Sequence, residues 1–133
     1  MRLVLIYVLA ALGLWLVLRW VTHMDRYELL TAQGATTSGS ISSTDCGNHG
    51  SFNYEFLVQG QSFHGSGKQS EGGVSCAALA AGQRVPVTYL AASPTVSVAG
   101  NPKVALAEAR LFATAGAISF PALVLWLRSR ARK

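Results

Sequence analysis

The C-terminal end of the chain carries the pattern that most restricts its fold. Residues 111–127 contain no charged side chain, and a basic tail, residues 128–133, follows at once. An apolar run that ends in a cluster of cations is typical of a helix that crosses a bilayer with its basic end in the cytoplasm. The sequence therefore predicts a membrane-spanning helix at this end.

A second apolar run lies at the N-terminus. Residues 3–21 are apolar except for Arg19, and a run of this length spans a hydrocarbon core of about 30 Å. A cleaved signal peptide is the alternative, but Arg19 and Trp20 stand where small residues precede a cleavage site. The sequence thus favours three parts: a first transmembrane helix in residues 1–26, an extracytoplasmic β-rich domain in 27–103, and a second transmembrane helix with the basic tail in 104–133.

Charge indicates the orientation of this two-pass arrangement. The 133 residues carry a net charge of +5, but residues 27–103 hold three cations and four acids, so the excess lies at the two ends. The basic tail then places both termini in the cytoplasm of a bacterial inner (plasma) membrane, with the central domain periplasmic or extracellular. The lipid bilayer is one expected partner, and nucleic acid is not, because no basic stripe with interleaved aromatic residues exists.

Two charged residues inside the apolar runs predict a contact between the helices. Arg19 and Glu108 lie about 24 and about 28 Å from the cytoplasmic ends of their spans at 1.5 Å per residue. We expect an interhelix Arg19–Glu108 pair near the outer interface. The alternative is that Arg19 extends to lipid headgroups while Glu108 meets water. Ala113 and Ala117 form a small-residue face for close helix approach, expected against Ala10 and Gly13.

The central segment reads as a small, mainly antiparallel β domain. Ser51–Val58 alternates apolar and polar residues with the period of a half-buried strand, and a turn at Gln59-Gly60 leads into a return arm. Arg84–Leu90 predicts another strand, which Pro86 places at an edge because proline cannot donate to a ladder. Asn101-Pro102 suits the start of the second long helix. The predicted fold class is an α+β membrane protein with two transmembrane helices flanking this β domain.

The aromatic hairpin also offers a candidate interaction surface. Its side chains alternate with polar ones along the two predicted strands, and no catalytic set competes for them. The residues of this candidate surface are Phe52, Tyr54, Phe56, Phe63 and His64.

The cysteines allow two readings. Cys46 and Cys76 both lie in the segment placed outside the cytoplasm, where two cysteines most simply form a disulfide. The alternative is a redox or metal protein that uses the two thiols with His49 and His64, since Cys46 and His49 have a ligand-like spacing. We expect the disulfide, with no bound metal and no cofactor.

Motifs for catalysis are not evident. Gly67-Lys68 fails as a phosphate-binding loop, because Ser62 stands where the first glycine is required and Gln69 where Ser or Thr is required. We therefore expect a non-enzymatic membrane protein whose β domain acts as a protein-interaction, accessory or immunity-type module for a membrane-protein partner or complex.

The order of these features resembles an uncharacterised bacterial family, the domain of unknown function 3592. That family is similar in having a membrane helix, a polar strand, an aromatic hairpin, a further Val-rich strand, a proline turn and a final membrane helix. The resemblance implies the two-pass architecture and brings no catalytic residues. The matching segments are residues 37–41 (TSGSI), 54–60 (YEFLVQG), 82–89 (GQRVPVTY) and Ser93-Pro94.

Overall fold

The protein is described here from a computed structural model that defines residues 2–47, 50–69 and 71–130. Its contacts divide the chain into two units. One unit comprises Met1–Asp25 with Ala107–Lys133 and contains most of two long helices; the other is Arg26–Leu106 and contains a β-sheet. The predicted α+β class with a small antiparallel sheet is confirmed.

The described residues form three α-helices: α1 is Arg2–Val21, α2 is Met24–Gln33 and α3 is Pro102–Arg130. Two of them, α1 and α3, are long and apolar enough to cross a membrane, with mean hydropathies of 2.2 over Val4–Val21 and 1.5 over Pro102–Arg130. Within the segment predicted for the first transmembrane helix, residues 1–26, α1 ends at Val21. His23 takes a φ of 52°, a left-handed conformation that ends α1 before α2 begins.

Five strands form one sheet in the order β3-β2-β1-β4-β5, with all neighbours antiparallel. The two outer strands, β3 and β5, come into contact, so the sheet curls into a partly closed barrel. Two short 3₁₀ turns, Glu71–Gly73 and Cys76–Ala78, connect β3 to β4. The strands are β1 (Gly34–Asp45), β2 (Ser51–Val58), β3 (Gln61–Gly67), β4 (Arg84–Leu90) and β5 (Ser93–Ala99).

The edge position predicted for β4 is wrong, because β4 lies between β1 and β5. The Pro86 carbonyl accepts a hydrogen bond of 2.8 Å from the Gly100 amide, on the β5 side. The N and O atoms of one strand residue point to the same side, so the missing N–H of Pro86 also faces β5. The ladder with β5 starts one residue later, at Val87 paired with Ala99, so the missing N–H of Pro86 lies at the end of this ladder and not in its middle.

The barrel interior holds the apolar faces of β1, β2 and β4. Two glycines of β3 make room for the aromatic rings of β2: a Cβ on Gly65 would lie 2.3 Å from Cζ of Tyr54, and one on Gly67 would lie 2.3 Å from Cζ of Phe52. Glycine at these two positions lets the rings reach the β3 backbone. The buried core consists of Ile41, Phe52, Tyr54, Phe56, Cys76, Val85, Val87 and Ala99.

The start of α3 follows the predicted capping pattern. The Asn101 side-chain oxygen accepts a hydrogen bond of 3.0 Å from the Lys103 amide, and Pro102 is the first helical residue. Asn101 thus caps one of the unpaired N–H groups at the helix start, and the φ angle of Pro102 is already suited to the first helical position.

Small residues of α3 form the contact with α1 inside their unit. Ala113 and Ala117 are buried, as the predicted small-residue face requires, and a Cβ on Gly116 would lie 3.0 Å from Cδ1 of Leu18. The expected partner Gly13 is not there: among the described residues, a Cβ on Gly13 would meet open space. The face of α1 turned to α3 thus includes Leu18 instead of Gly13.

A proline interrupts α3 next to a hydroxyl group from α1. Pro121 is buried within the helix, and its missing N–H leaves the Ala117 carbonyl without its usual donor. One residue further on, the Tyr7 hydroxyl donates a hydrogen bond of 3.0 Å to the Ile118 carbonyl. Tyr7 therefore supplies a donor to the backbone where the proline disturbs the helical ladder.

Candidate functional site

The predicted aromatic interaction surface is largely inside the protein. The strand alternation is as expected, but Phe52, Tyr54 and Phe56 are each at most 2% exposed. Phe63 is half-buried and stacks on Phe56 with 5.9 Å between ring centroids. The physical reason is that burying the aromatic face of the sheet, and leaving the polar face in water, lowers the free energy of the folded protein most. These four rings therefore belong to the core and its border, and His64 is the exposed member of the predicted set.

His64 belongs to a line of polar residues on the outer face of the sheet. Strand register places Arg84 opposite Ser40, Ser40 opposite Glu55, and Glu55 opposite His64, so one residue comes from each of four neighbouring strands. Residues directly opposite each other in a ladder point to the same face. We call these four residues the polar row; at the usual strand spacing it extends about 14 Å.

The polar row is accessible. Arg84, Glu55 and His64 are exposed, and the half-buried Ser40 hydroxyl lies 3.5 Å from a Glu55 carboxylate oxygen. The row therefore presents a guanidinium, a hydroxyl, a carboxylate and an imidazole side by side. Such a set donates and accepts hydrogen bonds and suits a polar ligand or partner surface.

Shallow grooves lie on both sides of the polar row. One, of about 380 Å³, is lined by Ser38, Leu57 and Ser62 together with Arg84. Leu57 is 62% exposed and gives this groove an apolar contact point. The other, of about 480 Å³, contains Asn53 with His64 and is rich in serine. The outer face of the sheet is thus a hydroxyl-rich surface with one exposed leucine beside its charged line.

The cysteines form a disulfide that connects two loops of the β domain. Cys46 directly follows β1, Cys76 opens the second 3₁₀ turn, and their sulfur atoms are 2.0 Å apart with 5.6 Å between the Cα atoms. Cys76 is buried, with its sulfur 3.5 Å from the Ser51 carbonyl oxygen, whereas Cys46 is exposed. The crosslink therefore joins the β1–β2 connection to the segment between β3 and β4.

The metal alternative used the same two sulfur atoms together with two histidines. Of these, His49 lies outside the described residues, and His64 belongs to the polar row. Among residues 2–47, 50–69 and 71–130, no group of three or more His, Cys, Asp or Glu side chains is placed to hold a metal ion. A disulfide and a thiolate site exclude each other at Cys46 and Cys76, so the oxidation state of the thiols separates the two hypotheses.

A polar cluster joins α2 to the barrel. The Tyr54 and Ser97 hydroxyls lie 3.1 Å apart in the interior, and both residues are 0% exposed. The Arg26 guanidinium, from α2, donates to the Ser97 carbonyl oxygen. Burial is the main cause that raises the pKa of Tyr54 above its ordinary value, so this hydroxyl stays protonated well into the alkaline range.

A second hydrogen bond of the cluster starts from the next residue of α2. The Tyr27 hydroxyl donates 2.7 Å to one oxygen of Glu71, and the other oxygen accepts 2.9 Å from the Lys68 amide. Burial first, and then the Glu71 carboxylate, raises the pKa of Tyr27 well above its ordinary value. The cluster holds α2 and the β3–β4 connection in place. Tyr27 and Glu71 are 44 positions apart in the chain, and no sequence pattern predicts their contact.

Arg19, one member of the predicted interhelix pair, has an acidic partner close to it in the chain. The structure places the Arg19 guanidinium against the Asp25 carboxylate, just beyond the end of α1. The same guanidinium lies 5.8 Å from the centre of the Trp15 ring. The Arg19–Glu108 pair stays a prediction, and the local Arg19–Asp25 pair is a contact that the sequence reasoning did not consider.

Comparison of this chain with protein-family models, with curated proteins and with solved structures finds no match. The resemblance to the domain of unknown function 3592 therefore stays a hypothesis carried by the sequence motifs alone.

Proposed function

We propose that this chain is a non-enzymatic, two-pass membrane protein whose β domain recognises a partner protein of a membrane complex. In this proposal α1 and α3 cross a bacterial inner membrane, both termini are cytoplasmic, and Arg26–Leu106 faces the periplasm or the exterior. The observation that carries the proposal is the accessible polar row on a disulfide-bonded domain between two helices of bilayer length.

The disulfide supports the compartment. Stable disulfides persist in oxidising compartments and are rare in the cytosol. The basic residues Arg128 and Arg130 at the end of α3 support a cytoplasmic C-terminus. Both features are consistent with a domain that functions outside the cytoplasm while its anchors end inside.

The composition of the outer face supports a protein partner. A line of mixed charges gives register and specificity to a protein contact. Leu57 lies beside the polar row and offers an apolar contact to a partner, next to the charged side chains of the row. An assembly factor, an accessory subunit or an immunity-type protein all use such a contact.

Site-specific photo-crosslinking in intact cells tests this function. A photoreactive residue at His64 samples the polar row, and one at the exposed Ala92, in the β4–β5 turn, is the matched control. We expect a discrete crosslinked membrane protein from His64 and none from Ala92. The crosslink is expected to weaken in Arg84→Glu and to recover partly when Glu55→Arg is added. Equal crosslinks from both positions contradict recognition by the row.

Topology and thiol state are measured in the same cells. Residues in the β domain are expected to react with a membrane-impermeant reagent, while a C-terminal tag stays protected until the membrane is opened. Labelling of Cys46 and Cys76 is expected only after reduction. Free thiols in the untreated protein contradict the disulfide and favour the redox or metal alternative with His49 and His64.

A further inference from the structure

A groove runs along one side of the α1–α3 contact. It has a volume of about 260 Å³, and its lining is apolar except for Arg128 at one end and the Tyr7 hydroxyl, which is hydrogen-bonded to the Ile118 carbonyl. Ile6 and Ala10 line it from α1, and Phe120 and Val124 line it from α3. Arg128 closes the end of the groove toward the C-terminus of α3. The groove therefore combines a long apolar wall with a single cation at one end.

The spacing along α3 produces this combination. Phe120, Val124 and Arg128 are separated by four residues each, so they lie one above another on the same helix face. Each step of four residues advances about 6 Å along the axis, which places the Arg128 backbone roughly 12 Å beyond the Phe120 backbone. Ile6 and Phe120 are about 60% exposed, so the groove is open along its length.

Arg130, two residues further on, differs from Arg128 in its surroundings. Its guanidinium lies over the Trp126 ring at 4.1 Å from the centroid, a cation–π contact on another side of the helix. Two arginines with nearly the same depth thus have different environments: one ends an apolar groove, and the other covers an aromatic ring.

We propose that this groove binds one anionic phospholipid, with an acyl chain along Ile6, Ala10, Phe120 and Val124 and the headgroup phosphate on Arg128. The inference rests on the proposed membrane-spanning function, because only then is the groove filled by lipid. The positive charge of Arg128 favours an anionic lipid. A guanidinium binds a phosphate through two parallel N–H groups, and an anionic headgroup has no choline to neutralise the phosphate charge. Ala10 is the one small residue of the groove wall, whereas a tightly packed partner helix requires several; Ala113 and Ala117 are buried elsewhere on α3.

The test uses the full chain purified in detergent and incorporated into nanodiscs that contain phosphatidylglycerol and phosphatidylcholine in equal amounts. Lipid that stays bound is counted by native mass spectrometry. We expect phosphatidylglycerol to be retained at least fivefold over phosphatidylcholine. Arg128→Gln is expected to reduce this preference at least threefold, whereas Arg130→Gln, the matched control, leaves it within a factor of 1.5.

A second variant separates the apolar wall from the charge. Ala10→Phe places a ring in the groove and is expected to lower the number of bound lipids of both classes, with Arg128 unchanged. Loss of preference in Arg128→Gln without any effect of Ala10→Phe means that the headgroup binds but no chain occupies the groove, and this overturns the proposal as stated.

Two further results overturn the lipid site. One is equal retention of the two lipids by the unmodified protein, and the other is an equal effect of Arg128→Gln and Arg130→Gln, which indicates a diffuse basic tail. A disulfide between two copies of an Ala10→Cys variant indicates a second chain in the groove and also excludes the lipid. Carbonate extraction of cell membranes distinguishes the two proposals: release of the chain refutes the membrane-spanning function itself, whereas retention without lipid preference refutes only the lipid site.

Discussion

Removal of the Cys46–Cys76 crosslink is the perturbation with the largest expected effect on the β domain. The two residues are 30 positions apart in the chain. On the chain-entropy model, opening a loop of this length lowers the free energy of unfolding by about 3.6 kcal/mol at 25 °C. The β unit is small, and single domains are typically stable by only about 5–15 kcal/mol. Loss of the crosslink is therefore expected to remove a large part of its stability.

Two ways of opening the bond give different information. Reduction of the unmodified protein breaks the crosslink and keeps both sulfur atoms. The double variant Cys46→Ala and Cys76→Ala also removes the Cys76 sulfur, which is buried beside the Ser51 carbonyl. We expect the variant to be less stable than the reduced protein by roughly 1 kcal/mol, because a buried atom is lost as well.

The assay must report on the sheet and not on the helices. Trp15, Trp20 and Trp126 all lie in α1 or α3, so tryptophan fluorescence does not follow the β domain. Hydrogen exchange of peptides from Ser51–Val58 in a urea series measures the sheet directly. With a urea dependence of about 1–3 kcal/mol per molar, the midpoint is expected to fall by roughly 1–4 M after reduction. A decrease of less than about 1 kcal/mol contradicts the loop-entropy argument.

Three further predictions concern single positions. Gly65→Ala places a Cβ 2.3 Å from the Tyr54 ring and is expected to destabilise the domain by about 1–3 kcal/mol in thermal unfolding, whereas Gly47→Ala meets open space among the described residues and leaves the midpoint unchanged. Tyr7→Phe removes the 3.0 Å bond to the Ile118 carbonyl and is expected to weaken the helix pair by about 0.6 kcal/mol, measured by steric trapping in bicelles; unchanged stability refutes a role for this bond. Burial raises the pKa of Tyr54 above 10.0, so the unfolded chain loses this proton at a lower pH than the folded protein does. The free energy of unfolding that this difference contributes is fully present below pH 10 and is lost as the pH rises through the folded-state pKa. Tyr54→Phe is expected to show a shallower loss of thermal stability above pH 10, and parallel curves contradict this assignment.

Periodicity predicted the strands well where one face is strongly apolar. The bounds of β2 and β4 agree with the predicted Ser51–Val58 and Arg84–Leu90, because apolar residues alternate through both segments. The same alternation does not say whether an aromatic face meets the core or a partner. The predicted interaction surface includes Phe56, but the curl of the sheet around this side chain buries it.

Contacts between distant segments were the part that sequence reasoning missed. Tyr27 and Glu71 meet only because α2 and the β3–β4 connection reach the same end of the barrel. The polar row likewise depends on register: Arg84 and His64 are distant in the chain, and three strand pairings, β4–β1, β1–β2 and β2–β3, bring them into one line. Proline gave a misleading signal for a similar reason, since Pro86 lies at the end of the ladder between β4 and β5 and the sequence does not show where that ladder begins.

The central place of β1 in the sheet has a consequence for biosynthesis. β1 is made first, yet its two neighbours are β2, which follows directly, and β4, whose last residue comes 45 positions after β1 ends. At a synthesis rate of about 5–20 residues per second, one edge of β1 waits roughly 2–9 s for β4. An unpaired strand edge can pair with the wrong strand. The residues of β1 that later pair with β4, Gly34 to Ser40, are small and mostly polar, so this edge offers little apolar surface to another strand. Cys76 emerges before β4, so the crosslink is available to hold the growing domain together while that edge is still open.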